Sequence, residues 1–569
     1  MNKPVDIQSS SQSPGQLQGP ASLDDPLYYR RNFEWVLHWV RERYNDLLPE
    51  REAGFIEDVL ALPEASRGLL VRLVMRKGEW FRPDSLNYPE LGDLSEAAAP
   101  LLEKGWLAEE DCLSMESLFA VLTWPRLKPL LQTTFAEAGI PSSTSKAQAL
   151  AMLEAEQWPD RNAREWGLEA GALWHLTVMP QCDRVRWLFF GNAYQDWSEF
   201  VLTELGLFDY EPVAFDEQIR PMHSEAELLH YWALLECRAA WEEDLSPEAI
   251  LPRLPTAPTQ NPWLKRHYHR LLFKLGREWE RLGELTQARA LYETCTYPGA
   301  RGRLLRVLER QEAFDFALAR AETAAQNPES DAEAQQLERL LPRLRRKLFG
   351  EKTPRSPAPD VPVTQYVLPR SDSVERSVLL HLSTPEAPVF YVENTLMVSL
   401  FGLLCWEPVF QPLPGAFFHP FQRGPADLTW PEFYARRADA FDACLASLDD
   451  GSYREKIVQV YGQKWGRQSP FVFWGALDEP LLHLALKCLP ASHLKLCFQR
   501  LLRDVKANRA GFPDLIRFYP DESRYEMIEV KGPGDRLQDN QKRWLAFFVE
   551  HGMPVSVCYV TWQDGNTDD

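Results

Sequence analysis

The sequence predicts a multidomain chain whose N-terminal two-thirds is mostly α-helical and whose C-terminal third is α/β. Three observations predict it. Apolar residues recur at helical spacing over 27–62 and again over 224–348. Four prolines, Pro354, Pro357, Pro359 and Pro362, then interrupt the helical pattern. Beyond them the period shifts toward strands, at Leu515–Tyr519, Tyr525–Lys531 and Val555–Val560.

Residues 1–26 are rich in Ser, Gln, Pro and Gly and are expected to form a disordered tail. A helical domain follows over 27–123, with Trp35, Leu37, Val40 and Leu47 on one apolar face and Pro83 and Pro89 as breaks. Residues 124–160 read as two short helices around Gly139-Ile140-Pro141-Ser142, with Ser145 placed to cap the second. Residues 161–350 begin with an aromatic-rich stretch. They continue as a helical pair, Leu275–Tyr292, with a weaker copy at Leu304–Ala325, the pattern of stacked helical repeats. The proline segment, 351–370, reads as a stiff linker. From 371 to 569 the expectation is a small mixed sheet flanked by helices at Val374–Leu382, at a segment carrying Glu393, and at Leu537–His551.

Chemistry concentrates near the C-terminus. Asp514 opens one strand, and Glu529 and Lys531 share one face of the next because side chains alternate. Two carboxylates and an ammonium would then converge. Carboxylate oxygens suit Mg²⁺ or Mn²⁺, and such ions activate water for phosphodiester hydrolysis. The pattern alone is common: Pro-Asp also occurs at Pro83-Asp84, Pro159-Asp160, Pro359-Asp360 and Pro520-Asp521. What separates Glu529 is its apolar setting between Ile528 and Val530, where a charge needs a partner.

The run GFPDLIRFYPDESRYEMIEVKGPGDRLQDNQKRW from Gly511 to Trp544 resembles the VRR-NUC branch of the PD-(D/E)xK nuclease superfamily. Two upstream blocks extend the likeness: Val392-Glu393-Asn394, and Pro414–Phe417 with Phe421–Leu428. The C-terminal third is thus similar to the Fanconi-anaemia-associated nuclease family, specifically its bacterial members, and 124–160 resembles a SAP-type DNA-binding module with Lys128, Ser143 and Lys146 at its polar positions. The resemblance implies a structure-selective DNA nuclease, cutting near 5′ flaps with 5′ exonuclease activity, in interstrand crosslink repair. It implies Glu393, Asp514, Glu529 and the Val530 carbonyl as ligands of one or two Mg²⁺ or Mn²⁺ ions. Asp514, Glu529, Lys531 and Gln541 become the expected catalytic group. A four-way-junction resolvase and a noncatalytic DNA-bound adaptor are the alternatives.

Composition narrows the rest. Nine cysteines without CxxC spacing argue against a zinc module and a disulfide framework, so a reduced, cytoplasmic protein is expected; the resemblance implies that it is nucleoid-associated. No apolar stretch has membrane length. The net charge of −20 disfavours nucleic acid overall, but its distribution does not. Residues 261–310 hold eleven Lys/Arg against five Asp/Glu. Arg277, Arg281, Arg303 and Arg306, with Lys128, Lys146 and Arg509, are the expected contacts to branched or flapped duplex DNA. Arg500, Arg503 and Lys506 form a second basic group with Arg509.

Overall fold

A computed structural model describes residues 25–76, 78–110, 112–141, 144–154, 159–162, 164–166, 173–198, 208–258, 260–350 and 360–563. Residues 1–24 of the expected tail, Ser143 and residues 351–359 of the proline segment lie outside these residues. The chain divides into two compact units, one of residues 1–207 and 223–235, the other of 208–222 and 236–569.

The first unit opens with helices Tyr28–Tyr44, Glu50–Ala61 and Glu64–Val74. Trp35, Leu37, Val40 and Leu47 are all buried, as their spacing predicts. The purely helical expectation fails further on. Strands β1 (Trp80–Phe81) and β2 (Leu107–Glu110) flank β5 (Leu173–Leu176) in an antiparallel sheet ordered β1-β5-β2. Strands of two to four residues carry too little alternation to be seen in sequence, and their partner lies about 65 to 95 residues away. A second pair joins β3 (Cys112–Leu113) to β4 (Arg161–Asn162).

The expected two-helix module consists of helices Trp124–Leu130 and Gln132–Glu137 followed by Lys146–Glu154. Ser145 and Gln148 cap the last helix reciprocally: the Gln148 amide donates to Ser145 Oγ at 3.4 Å and the Ser145 amide to Gln148 Oε1 at 3.2 Å. The boundary at 124 cuts through one core, however. Leu118 and Phe119, on helix Met115–Val121, pack with Leu127, Phe135 and Leu153.

In the second unit, helices Pro262–Leu282, Leu285–Thr294, Ala300–Arg310, Phe314–Gln326 and Asp331–Phe349 stack in sequence around Trp279, Tyr292, Leu304, Leu308, Ala321 and Leu337. Both expected helical pairs are present. The α/β part then follows. Its sheet has five strands, β6 (Val363–Leu368), β7 (Val389–Tyr391), β8 (Leu515–Tyr519), β9 (Arg524–Lys531) and β10 (Val555–Trp562), ordered β6-β10-β9-β8-β7. β10 runs parallel to β6 and β9, whereas β8 is antiparallel to β7 and β9. The sheet therefore starts inside the segment expected to be a linker, ahead of 371. Val363-Thr364-Gln365-Tyr366-Val367 has strand propensity, but adjacent prolines mask it.

Alternation sorts the sheet into two faces. Leu515, Ile528, Val530, Cys558 and Val560 face helix Val374–Leu382. Ile516, Phe518, Tyr525, Met527 and Val557 face Trp544, Leu545 and Phe548 of helix Asp539–Glu550, together with the large helical core. At roughly 25 cal/mol per Å² of apolar area buried, this double-sided packing dominates the stability of the sheet.

Candidate active site

β9 is the central strand of the five. A charge on its inner face is therefore buried by construction. Tyr525, Met527, Glu529 and Lys531 share that face by alternation, and Glu529 is fully buried. The β8·β9 register pairs Leu515 with Ile528, so one residue further Asp514 stands opposite Glu529. The tight turn at Pro520–Glu522 sets that register, with Ser523 in the left-handed region at φ 50°.

Hydrogen bonds fix the acidic groups. Asp514 Oδ2 accepts from the Val530 amide at 2.8 Å, and the Asp514 carbonyl accepts from the Val392 amide at 2.8 Å. Lys531 Nζ lies 2.6 Å from Glu529 Oε1. Beyond that ion pair, neither Glu529 oxygen has a hydrogen bond of good geometry among the described residues. Burial, opposed by the Val530 amide and Lys531, pushes Asp514 up to about 6. Burial and then the Asp514 charge push Glu529 up to about 7. Burial pulls Lys531 down, but the Glu529 carboxylate outweighs it and holds the ammonium above its ordinary value.

Glu393 does not lie on a helix, as expected, but in the turn between β7 and helix Leu396–Leu404. The physical reason is Asn394, whose φ of 51° interrupts helical geometry. Asn394 is also a residue that sequence reasoning passed over. Its Nδ2 donates to Glu393 Oε1 at 3.2 Å, and its Oδ1 accepts from the Gly511 and Phe512 amides at 2.7 and 3.1 Å. One side chain thus ties Glu393 to the turn that delivers Asp514. Gly511 needs its φ of 103°, and a Cβ there would meet the Asn540 backbone at 2.9 Å. Tyr391 was missed as well; its hydroxyl donates to Glu393 Oε2. The negative charge of Glu393 reaches both Asp514 and Glu529.

Glu393, Asp514, Glu529 and Lys531 are therefore brought together. Val530 adjoins them through its amide, and Gln541 sits on the covering helix. The structure gives Gln541 a definite role: its Oε1 accepts from the Gln538 amide at 2.8 Å, completing a capping box at the start of helix Asp539–Glu550. Trp544 on that helix stacks on Phe512 at 4.1 Å.

Among the described residues no three His, Cys, Asp or Glu side chains close into a preformed metal cage. The donor set nevertheless fits a hard cation. It offers carboxylate oxygens, those of Glu529 buried without a hydrogen bond of good geometry, and mutual repulsion that a cation would relieve.

The remaining expected residues scatter. Arg281 pairs with Glu278, while Arg303, Arg306 and Arg310 crowd the single buried Glu280 at 3.4, 3.2 and 3.7 Å. With Lys274 and Arg277 they line a cavity of about 730 Å³ in which cations outnumber carboxylates. In the first unit Lys128 is exposed, and Lys146 Nζ donates to the Leu122 carbonyl at 2.8 Å, pinning its own module. Arg500 belongs to the core: it lies over Trp544 and Phe547 and pairs with Asp331 at 3.1 Å. Asp427 was quoted in the sequence only as part of a matching block. It is fully buried and held by both terminal nitrogens of Arg437 at 2.9 Å, with Arg436 beside them.

A mixed sheet with helices on both faces, carrying Asp514 opposite Glu529-Val530-Lys531, defines a nuclease of the VRR-NUC type; the VRR-NUC domain family matches residues 448–562. The family described as the FAN1 HTH domain matches 27–108, a helical segment whose helix-turn-helix character its spacing did not disclose. A Fanconi-associated nuclease 1 homolog of Pseudomonas aeruginosa is 47% identical over 558 residues, covering 97% of this chain and 98% of that protein. The human Fanconi-associated nuclease 1 is 24% identical, with 98% of this chain aligned to 64% of its length. A crystal structure of paFAN1 bound to 2nt 5′ flap DNA with gap superposes with a TM-score of 0.86 at 46% identity, covering 96% of this chain and all of that one. The chain belongs to the Fanconi-associated nuclease family. Among the described residues no helix is long and apolar enough to cross a membrane.

Proposed function

We propose that this chain hydrolyses DNA at 5′ flap junctions, with 5′ exonuclease activity, in the repair of interstrand crosslinks. Its site would hold one or two Mg²⁺ or Mn²⁺ ions through Glu393, Asp514, Glu529 and the Val530 carbonyl. The observation that carries this reading is the fully buried Glu529 carboxylate, which makes no hydrogen bond of good geometry among the described residues and faces Asp514. Such a pair destabilises the fold unless a cation shares it. The bound ions would supply an activated water and stabilise charge on the leaving oxygen. The chain's own residues do the positioning. Lys531 places a cation where negative charge develops on the phosphoryl oxygens. Asn394 and Tyr391 orient Glu393, and the Gln541 cap fixes the helix whose Trp544 holds the Gly511-Phe512 turn.

Duplex DNA would be gripped through phosphates by the cavity around Arg277, Arg281, Arg303 and Arg306, by Lys128, and by Arg509 next to the site. The Lys146 ammonium serves the Leu122 carbonyl within its own module, so its part in DNA binding is secondary to that contact. The test is cleavage of labelled 5′-flap, 3′-flap and four-way-junction DNA by the full chain in Mg²⁺, Mn²⁺ or EDTA. Preference for the 5′ flap, lost in EDTA and in Asp514→Ala, is expected. Equal cutting of all three, or full activity in EDTA, overturns the reading.

A further inference from the structure

Arg509 ends a short helix five residues before Asp514, and its Nη2 donates to the Pro470 carbonyl at 3.3 Å. Arg423 reaches the preceding carbonyl of the same turn: its Nε donates to Ser469 O at 2.7 Å. Two guanidiniums from segments 86 residues apart thus rest on consecutive carbonyls. The Arg423 charge acts on Arg509, and among the described residues neither is paired with a carboxylate. Both terminal nitrogens of Arg423 are free of protein partners.

The platform beneath them is rigid. Ser469 is buried, and its Oγ accepts from the Phe471 and Val472 amides at 3.2 Å each. Gly424 lies so close to Pro470 that a Cβ there would meet its Cγ at 2.7 Å. Phe473 and Phe471 are tied through Ser399 to helix Leu396–Leu404, the element that follows Glu393. Two fixed like charges without a counterion are unfavourable in the free protein. Native surfaces place guanidiniums this way to receive an anion, and phosphate oxygens accept their paired N–H donors in bidentate geometry.

We propose that Arg423 and Arg509 form a clamp for a phosphodiester of the DNA strand entering the site. The clamp rests on the DNA-binding reading given above and adds Arg423, which charge counting along the sequence did not find. Five residues span at most about 18 Å, so the backbone that carries Arg509 lies within that reach of Asp514. A contact of this kind fixes register without reading sequence.

The test is anisotropy of labelled 5′-flap DNA with the full chain in EDTA across a salt series. Wild type is compared with Arg423→Gln/Arg509→Gln, with Arg423→Lys/Arg509→Lys, and with Arg423→Gln alone. The double glutamine variant should bind about tenfold more weakly at 0.1 M salt. Its log–log salt slope should be shallower by about 1 to 2. The lysine pair should keep the slope. Arg423→Gln alone, at an exposed side chain whose removal costs one hydrogen bond to the Ser469 carbonyl, should reduce the slope by about 1 in protein whose melting temperature confirms folding. Wild-type affinity and slope in folded glutamine variants overturn the clamp, as does a lysine pair that loses the slope equally. Wild type that fails to bind flap DNA at all instead overturns the proposed function, and the clamp with it.

Discussion

Replacing Glu529 by glutamine should make the metal-free protein more stable while abolishing cleavage. Glu529 is fully buried, and its folded pKa is pushed from 4.5 up to about 7, by burial first and by Asp514 next. Because the folded value lies above the unfolded one, the folded chain holds an extra proton between about pH 4.5 and 7. Stability therefore falls as pH rises through that window and levels off above it. At 1.36 kcal/mol per pKa unit, the ionised carboxylate costs about 3 kcal/mol at pH 8. Glutamine keeps the shape and removes the charge. Lys531 retains Asp514 and Asp535 as opposite charges, while the buried amide recovers only part of its hydrogen bonding. The net gain should be about 2 kcal/mol, or about 3 °C in melting temperature for a unit of this size. The assay is thermal melting in EDTA at pH 8 and again at pH 4.5, where wild type and variant should converge. A variant that melts at or below wild type at pH 8 would refute the argument that Glu529 is held as a strained charge awaiting a cation.

The half-saturating metal concentration should rise by up to about a hundredfold for each pH unit below pH 6, because two carboxylates raised to about 6 and 7 must both release protons to bind, and cleavage rate against Mn²⁺ concentration at several pH values checks it. Lys531→Ala should lower single-turnover rates by about 10²-fold with little change in metal half-saturation; an unchanged rate would remove it from the chemistry. Gln541→Ala should lose about 1 kcal/mol in urea unfolding by breaking the capping box, and Gln541→Glu should restore stability; a rate loss that persists in the glutamate variant would show a role beyond the cap. Asp427→Ala should cost about 3–5 kcal/mol, because it strands the buried Arg437, and denaturant unfolding reads it directly.

The acidic cluster was legible because its spacing is local. Asp514 and the 529–531 triplet sit on one hairpin, so alternation alone brings them together. Helical repeats were legible because the apolar spacing within each pair is local, although the pairs bury their faces by stacking into one shared core. The short N-terminal strands and β6 were not, because their partners lie far along the chain and the strands are either too brief or too close to prolines to advertise themselves. The basic run in 261–310 was counted correctly but valued too simply. Three of its arginines share Glu280, and others are spent on Glu278, Glu293 and Glu333. Linear charge counts see cations and cannot see their partners.

Asn394 shows what such counting leaves out at the site itself. Its amide joins Glu393 to the Gly511-Phe512 turn across 117 residues of sequence, so Glu393 and Asp514 move as one body. A carboxylate pair that must repel when ionised would otherwise drift apart on a flexible turn, at little energetic cost. Holding both from the same side chain keeps the repulsion stored, and stored repulsion is what makes a divalent ion bind where the carboxylates are. Stability given up at Glu529 and affinity for the metal are then two readings of one arrangement. Asn394→Ala should therefore leave all three carboxylates in the chain yet weaken metal binding, while the pH-dependent destabilisation measured at Glu529 shrinks with it. If metal affinity falls but that destabilisation persists unchanged, the tether acts on Glu393 alone and the stored-repulsion argument fails.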